Sequence, residues 1–105
     1  MSASDDRGRL GPEKLADVEH LVAELWNRPG LSTRDRRLLV LGVIAGQGRS
    51  ELAEAQFAEA LKNGELTREE LGEVIVQLAY YAGWPKTTSI SRGARAAAKT
   101  VIGDE

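Results

Sequence analysis

From Leu38 to Gly48 the chain runs LLVLGVIAGQG without one charged side chain, directly after the dense polar stretch STRDRR. Ser32 or Thr33 can cap a helix there, so the run reads as a helix that is apolar on every face. Such a helix is expected to be buried all round. In a chain of 105 residues this requires either a central position or cover from a neighbouring subunit, because a small domain hides only a modest share of its surface. A helical domain organised around this segment, in a homo-oligomer, is the first expectation.

The flanking segments agree with it. GPEKLADVEHLVAELWNRPG opens with Pro12 in a first helical turn and stops at Pro29-Gly30, with Leu15, Val18, Val22, Leu25 and Trp26 on one stripe. SELAEAQFAEALKNG reads as one short helix closed by Asn63-Gly64. The next begins at TREE, where Thr67 and Glu70 have the spacing of a capping box, and carries the stripe Leu71, Val74, Ile75, Leu78, Ala79, Ala82 up to a break at Gly83-Trp84-Pro85. A last helix is expected over about Lys86 to Val101. No alternation of period two survives anywhere, so the fold class is all-α with about five helices and no sheet. Residues 1–11 read as a flexible N-terminal segment and 12–105 as a single helical domain.

Composition narrows the function. Cysteine is absent, which removes disulfides, thiol nucleophiles, peroxidatic thiols and cysteine-held metal clusters together. The net charge is −2 and the basic residues are spread along the chain, so the electrostatic footprint of a nucleic-acid binder is missing. No apolar run reaches the roughly 18 residues of a membrane span, and the N-terminus lacks an apolar signal core, so a cytoplasmic protein that binds neither nucleic acid nor membrane is expected. No glycine-rich phosphate loop or metal-ligand cluster is visible, and no cofactor is expected.

Three groups of side chains could carry chemistry. Glu73, Gln77 and Tyr80 share one helical face, with Glu70 a turn earlier. Arg28 precedes Pro29-Gly30, and Arg34, Arg36 and Arg37 crowd the head of the uncharged helix, where a positive cluster gains nothing from the helix dipole. Guanidinium groups grip carboxylates with two parallel hydrogen bonds, so these arginines suit a small anionic substrate as well as neighbouring acids. The third group is Arg49 with Gln56, an uncharged amide set between two apolar turns.

Several strings taken together resemble the carboxymuconolactone decarboxylase family: W-x-R-P-G-L at Trp26 to Leu31, R-x-R at Arg34 and Arg36, A-L-x-N-G at Ala60 to Gly64, T-x-E-E-L-x-E-V-I-x-Q at Thr67 to Gln77, and Y-x-G-x-P at Tyr81 to Pro85. The resemblance implies an alkylhydroperoxidase-D-like helical fold and a trimer or hexamer. It sets Gln56 where the decarboxylase members carry a histidine. In the peroxidase branch a relay glutamate, two cysteines and a histidine align with Arg37, Arg49, Leu52 and Gln56, and none of those groups is present, which excludes thiol peroxidase chemistry.

The family reaction, part of the breakdown of the aromatic acid protocatechuate, removes CO2 from a carboxylated lactone. It needs a cation near the lactone carbonyl, a grip on the carboxylates and an acid to protonate carbon. Arg28, Arg34, Arg36 and Arg49 are the expected anion or carbonyl contacts, with Gln77, Tyr80 and Trp84 beside them as substrate-binding residues. Gln56 cannot titrate and would orient the substrate. Glu73, with its pKa raised by burial, is the expected acid/base, and Tyr80 or Tyr81 acting through water is the other source of a proton. The expectation is therefore a decarboxylase-like lyase for a small carboxylated lactone or ketoacid. A non-catalytic oligomeric binding protein of the same fold is the alternative.

Overall fold

A computed structural model describes residues 12–103. Residues 1–11, expected as a flexible segment, lie outside the described residues. The described residues are all-helical, with no strand among them. They fall into two compact units divided between Leu31 and Ser32.

The first unit contains α1, Pro12–Trp26. Its expected stripe is present but not hidden: Leu15, Val18, Val22 and Leu25 are each about half exposed. His20 lies beside Glu24, one turn on, and both are largely exposed.

The second unit holds the core. The Ser32 hydroxyl accepts from the Asp35 backbone N–H, which fixes the start of α2, Thr33–Gln47. Gly48, with φ of 68°, ends α2 as a left-handed cap whose backbone N–H returns to the Ala45 carbonyl. The segment after it is not one helix. Ser50–Leu52 forms a single 3-10 turn, and α3 begins only at Ala53 and runs to Lys62. The capping box at α4, Arg68–Ala82, is complete: Thr67 Oγ1 accepts from the Glu70 N–H while the Glu70 carboxylate accepts from the Thr67 N–H.

One residue, Gly83, connects α4 to α5, Trp84–Val101. Its φ of 98° and ψ of 147° belong to a region that side chains bearing a Cβ essentially never enter. Helix α5 starts two residues before the expected Lys86. Pro85 sits inside the first turn, where its missing N–H has no partner to lose.

Helices α3 and α5 form the most extensive pairing, followed by α4 with α5. They can approach because the seam is built from Ala53, Ala60, Ala94 and Ala97, all buried. At Gly93 the helices nearly touch: a Cβ there would lie 2.9 Å from Ala53 Cβ and 3.0 Å from the Glu54 backbone nitrogen. Phe57, Leu41 and Ile90 are the largest apolar side chains enclosed by this arrangement, each worth about 1.5–3 kcal/mol of transfer free energy. The stripe read on α4 packs against them through buried Leu71 and partly buried Val74, Ile75, Leu78 and Ala82, and Ala79 is buried as well.

Of the two expected ways to bury the uncharged helix, a central position within the chain is not the one found. Leu41, Ile44 and Ala45 are buried, but Leu39 is 61% and Val43 57% exposed. Lack of charge therefore did not mean a central position. The protein's own helices cover one side of α2, and its opposite side is an open apolar stripe. No described helix is long and apolar enough to cross a membrane.

Candidate functional site

Gln56 sits on α3 one residue before the buried Phe57 and is itself half-buried. Its Oε1 accepts a hydrogen bond from Nη1 of Arg37 on α2. The same guanidinium grips Glu65 with two further bonds, Nε to Oε1 at 2.7 Å and Nη2 to Oε2 at 3.2 Å. Asn63 adds a fourth contact, its Nδ2 donating to Glu65 Oε2 at 3.2 Å. Arg37 and Glu65 are 7% and 8% exposed, which makes this a charged pair inside the protein rather than on it.

The chemistry of the partners fixes the orientation of the amide. A guanidinium has donors only, so only the carbonyl oxygen of Gln56 can face Arg37. The Nε2 group is thereby left pointing elsewhere with both hydrogens. An oriented amide donor can bind an oxygen acceptor on a ligand, but it cannot exchange a proton with it.

Burial is the largest influence on the Glu65 carboxyl and would raise its pKa. Hydrogen bonds from Arg37 and Asn63, with the Arg37 charge, outweigh it and hold the group below the usual carboxylate range. Glu70 is also lowered, first by the Thr67 backbone N–H and then by Arg34. Glu51 is lowered by its own backbone N–H and by Arg49. All three are stabilised as carboxylates, the form that accepts protons poorly and donates none.

The residues singled out in the sequence are distributed as follows. Arg34 pairs with Glu70 at 2.8 Å and Arg49 with Glu51 at 3.1 Å, both at the surface. Arg36 is half-buried on α2, and Arg28 is exposed after α1. Glu73 and Gln77 are exposed on α4. The burial that an acid role for Glu73 presupposes is thus not supplied within one chain. Tyr80 is 76% and Trp84 60% exposed, and their rings meet edge to face with centroids 6.2 Å apart. Tyr81 is 84% exposed.

Glu65 and Asn63 were not among the candidate residues, and Arg37 stood only as one member of the basic cluster. Glu65 comes 28 positions after Arg37, so no spacing rule links them. The one signal was local: a carboxylate between Gly64 and the buried Leu66, at a turn running into the core.

Comparison with known proteins bears on what such a site does. The profile of the carboxymuconolactone decarboxylase family matches residues 13–98. The chain belongs to this family. Among curated relatives, it is 33% identical over 66 residues to a 4-carboxymuconolactone decarboxylase of Acinetobacter baylyi, covering 63% of this chain and 48% of that one. It is 38% identical over 77 residues to a nitrosuccinic acid decarboxylase of Metarhizium robertsii, covering 73% of this chain and 52% of the relative. An uncharacterised 15.0 kDa protein of Paracoccus denitrificans is 37% identical over 82 residues, with 73% and 59% covered. The chain spans about half the length of the curated relatives it matches. No solved structure gives a significant match.

Proposed function

We propose that this member of the carboxymuconolactone decarboxylase family is a carbon-carbon lyase that removes CO2 from a small carboxylated lactone or ketoacid at the surface around Gln56. Two relatives carry the name decarboxylase, and the observation that carries the reading to a residue is the Gln56 amide, held by Arg37 with its N–H donors turned away from the ion pair. As the bond to CO2 breaks, its electron pair moves into the adjoining carbonyl. A fixed donor at that oxygen stabilises the developing charge without needing to reorganise. A proton must then be delivered to carbon. Gln56 cannot supply it, and in this reading Glu73 does so.

A homo-oligomer, a trimer or hexamer, belongs to the same proposal. The exposed apolar residues Leu39 and Val43 on α2 and Val76 on α4 support it. Glu73 lies one turn before Val76 on α4, so a neighbouring copy seated on that face would cover it.

The second reading, a non-catalytic binding protein of the same fold, is favoured by a different observation: Arg34, Arg37 and Arg49 already have carboxylate partners. Incubating the protein with carboxymuconolactone and a panel of related lactones and ketoacids, and following CO2 release, separates the two. Turnover that is lost in Glu73→Gln supports the lyase. Absence of turnover with every substrate, in Gln56→His as well as in the natural chain, supports the binding protein.

A further inference from the structure

An open groove of about 720 Å³ runs between α4 and α5, away from the Gln56 site; Gln56 does not line it. Its walls are Leu71 and Ile75 from α4 and Ala94 and Ala98 from α5, with Gly72 leaving open space where a side chain would stand. Three cations border it: Arg68 on α4, and Arg95 and Lys99 on α5. Among the described residues no carboxylate does. Arg68 donates to the Gly103 carbonyl at 2.8 Å, which anchors it at the groove's end.

The arginines highlighted earlier differ from Arg95 and Lys99. Arg34, Arg37 and Arg49 are each neutralised by a glutamate. Arg95 and Lys99 have no ion pair among the described residues and stand four apart on one helix, a spacing at which like charges cost a few tenths of a kcal/mol. Lys99 in the last turn is offset by the helix dipole, but Arg95 is not. The hydroxyl of Ser91, also in the lining, donates to the Thr88 carbonyl and is occupied. Among the described residues, every charged side chain that lines this groove is therefore positive and a pure donor, and its floor is aliphatic.

We propose that the α4–α5 groove binds a small amphipathic carboxylate, with the apolar body against Leu71, Ile75, Ala94 and Ala98 and the carboxylate between Arg95 and Lys99. The match is one of charge and shape: an anion relieves the repulsion between Arg95 and Lys99, and a planar guanidinium takes a carboxylate through two parallel bonds. A neutral body of the same shape gains only the floor, and a bare anion gains only the rim.

Benzoate is the probe. Titrated into the 15N-labelled full chain, it should shift the amide resonances of Leu71 to Ile75 and Ser91 to Lys99 saturably, whereas benzamide and acetate should do so at least tenfold more weakly. The exposed double variant Arg95→Glu/Lys99→Glu should retain the helical spectrum and weaken benzoate binding tenfold or more, while Gln56→Ala should leave it unchanged, which keeps this site independent of the decarboxylase reading. Equal binding of benzamide, equal binding of acetate, or no saturable shift would each overturn the proposal. Groove resonances that move with protein concentration alone, and that benzoate does not compete for, would assign the groove to a second copy of the chain instead.

Discussion

Removing Glu65 should be far more damaging than removing Glu65 and Arg37 together. In Glu65→Leu the guanidinium of Arg37, 7% exposed, keeps its charge and its bond to Gln56 but loses both bonds to carboxylate. Breaking a buried pair from one side costs about 3–5 kcal/mol because an uncompensated charge stays behind. Domains of this size are stable by about 5–15 kcal/mol, so the variant should still fold but with much of its margin gone. Arg37→Met/Glu65→Leu removes both charges at similar volume and should lie within about 1 kcal/mol of the natural chain, since apolar replacement of a buried pair is often neutral. Half-buried Gln56 can then turn its carbonyl to water.

The assay is urea unfolding at pH 7 and one fixed protein concentration, so that any self-association contributes equally. The pH dependence supplies the sign. Because folding holds the Glu65 pKa below its ordinary range, its stabilisation is complete above the unfolded value near ~4.3 and is lost as pH falls through the lower folded value. The gap between the natural chain and Glu65→Leu should therefore shrink in strong acid. A single-variant cost below about 1 kcal/mol, or a double variant as unstable as the sum of the two single ones, would refute the account of this pair.

Other outcomes follow from the packing. Gly93→Ala forces a Cβ onto Ala53 and the Glu54 backbone, and overpacking of about 1–3 kcal/mol should exceed the gain in helix propensity, lowering the thermal midpoint. Thr67→Ala removes the hydroxyl that caps α4 and should cost about 1 kcal/mol in the same measurement. Leu39→Arg/Val43→Arg should keep the helical spectrum and, by sedimentation, dissociate any assembly that uses the open face of α2; an unchanged sedimentation coefficient in an oligomeric protein would place the interface elsewhere. In Gln56→His the imidazole would face the Arg37 cation, which disfavours its protonated form, so its NMR titration midpoint should fall below the usual ~6.5.

What could be read in the sequence was mostly local. Ser32, Gly48 and the Thr67–Glu70 box act within one helical turn, and each marks a helix end in the structure. The α4 stripe was legible because its period selects a face. The α2 run was legible only in part: with no polar residues to mark an outer side, nothing in LLVLGVIAGQG shows that Leu39 and Val43 face outward from the chain's own core while Leu41 and Ile44 do not. At the site, the odd amide Gln56 was visible, but its partners were not. Arg37 and Glu65 meet only because α2 and the turn after α3 pack together, and an arginine in a basic cluster looks the same whether it faces a ligand or an acid.

The single-residue corner at Gly83 has a consequence for how this protein can evolve. Replacing that glycine would press the backbone toward ordinary helical angles and favour a continuous rod from Arg68 to Val101, an element that two molecules could exchange. Pro85 stands against that outcome, because inside such a rod its ring would collide with the carbonyl of Tyr81. The bend is thus guarded twice, and a lineage has to lose both guards before α5 can leave its own core for another's.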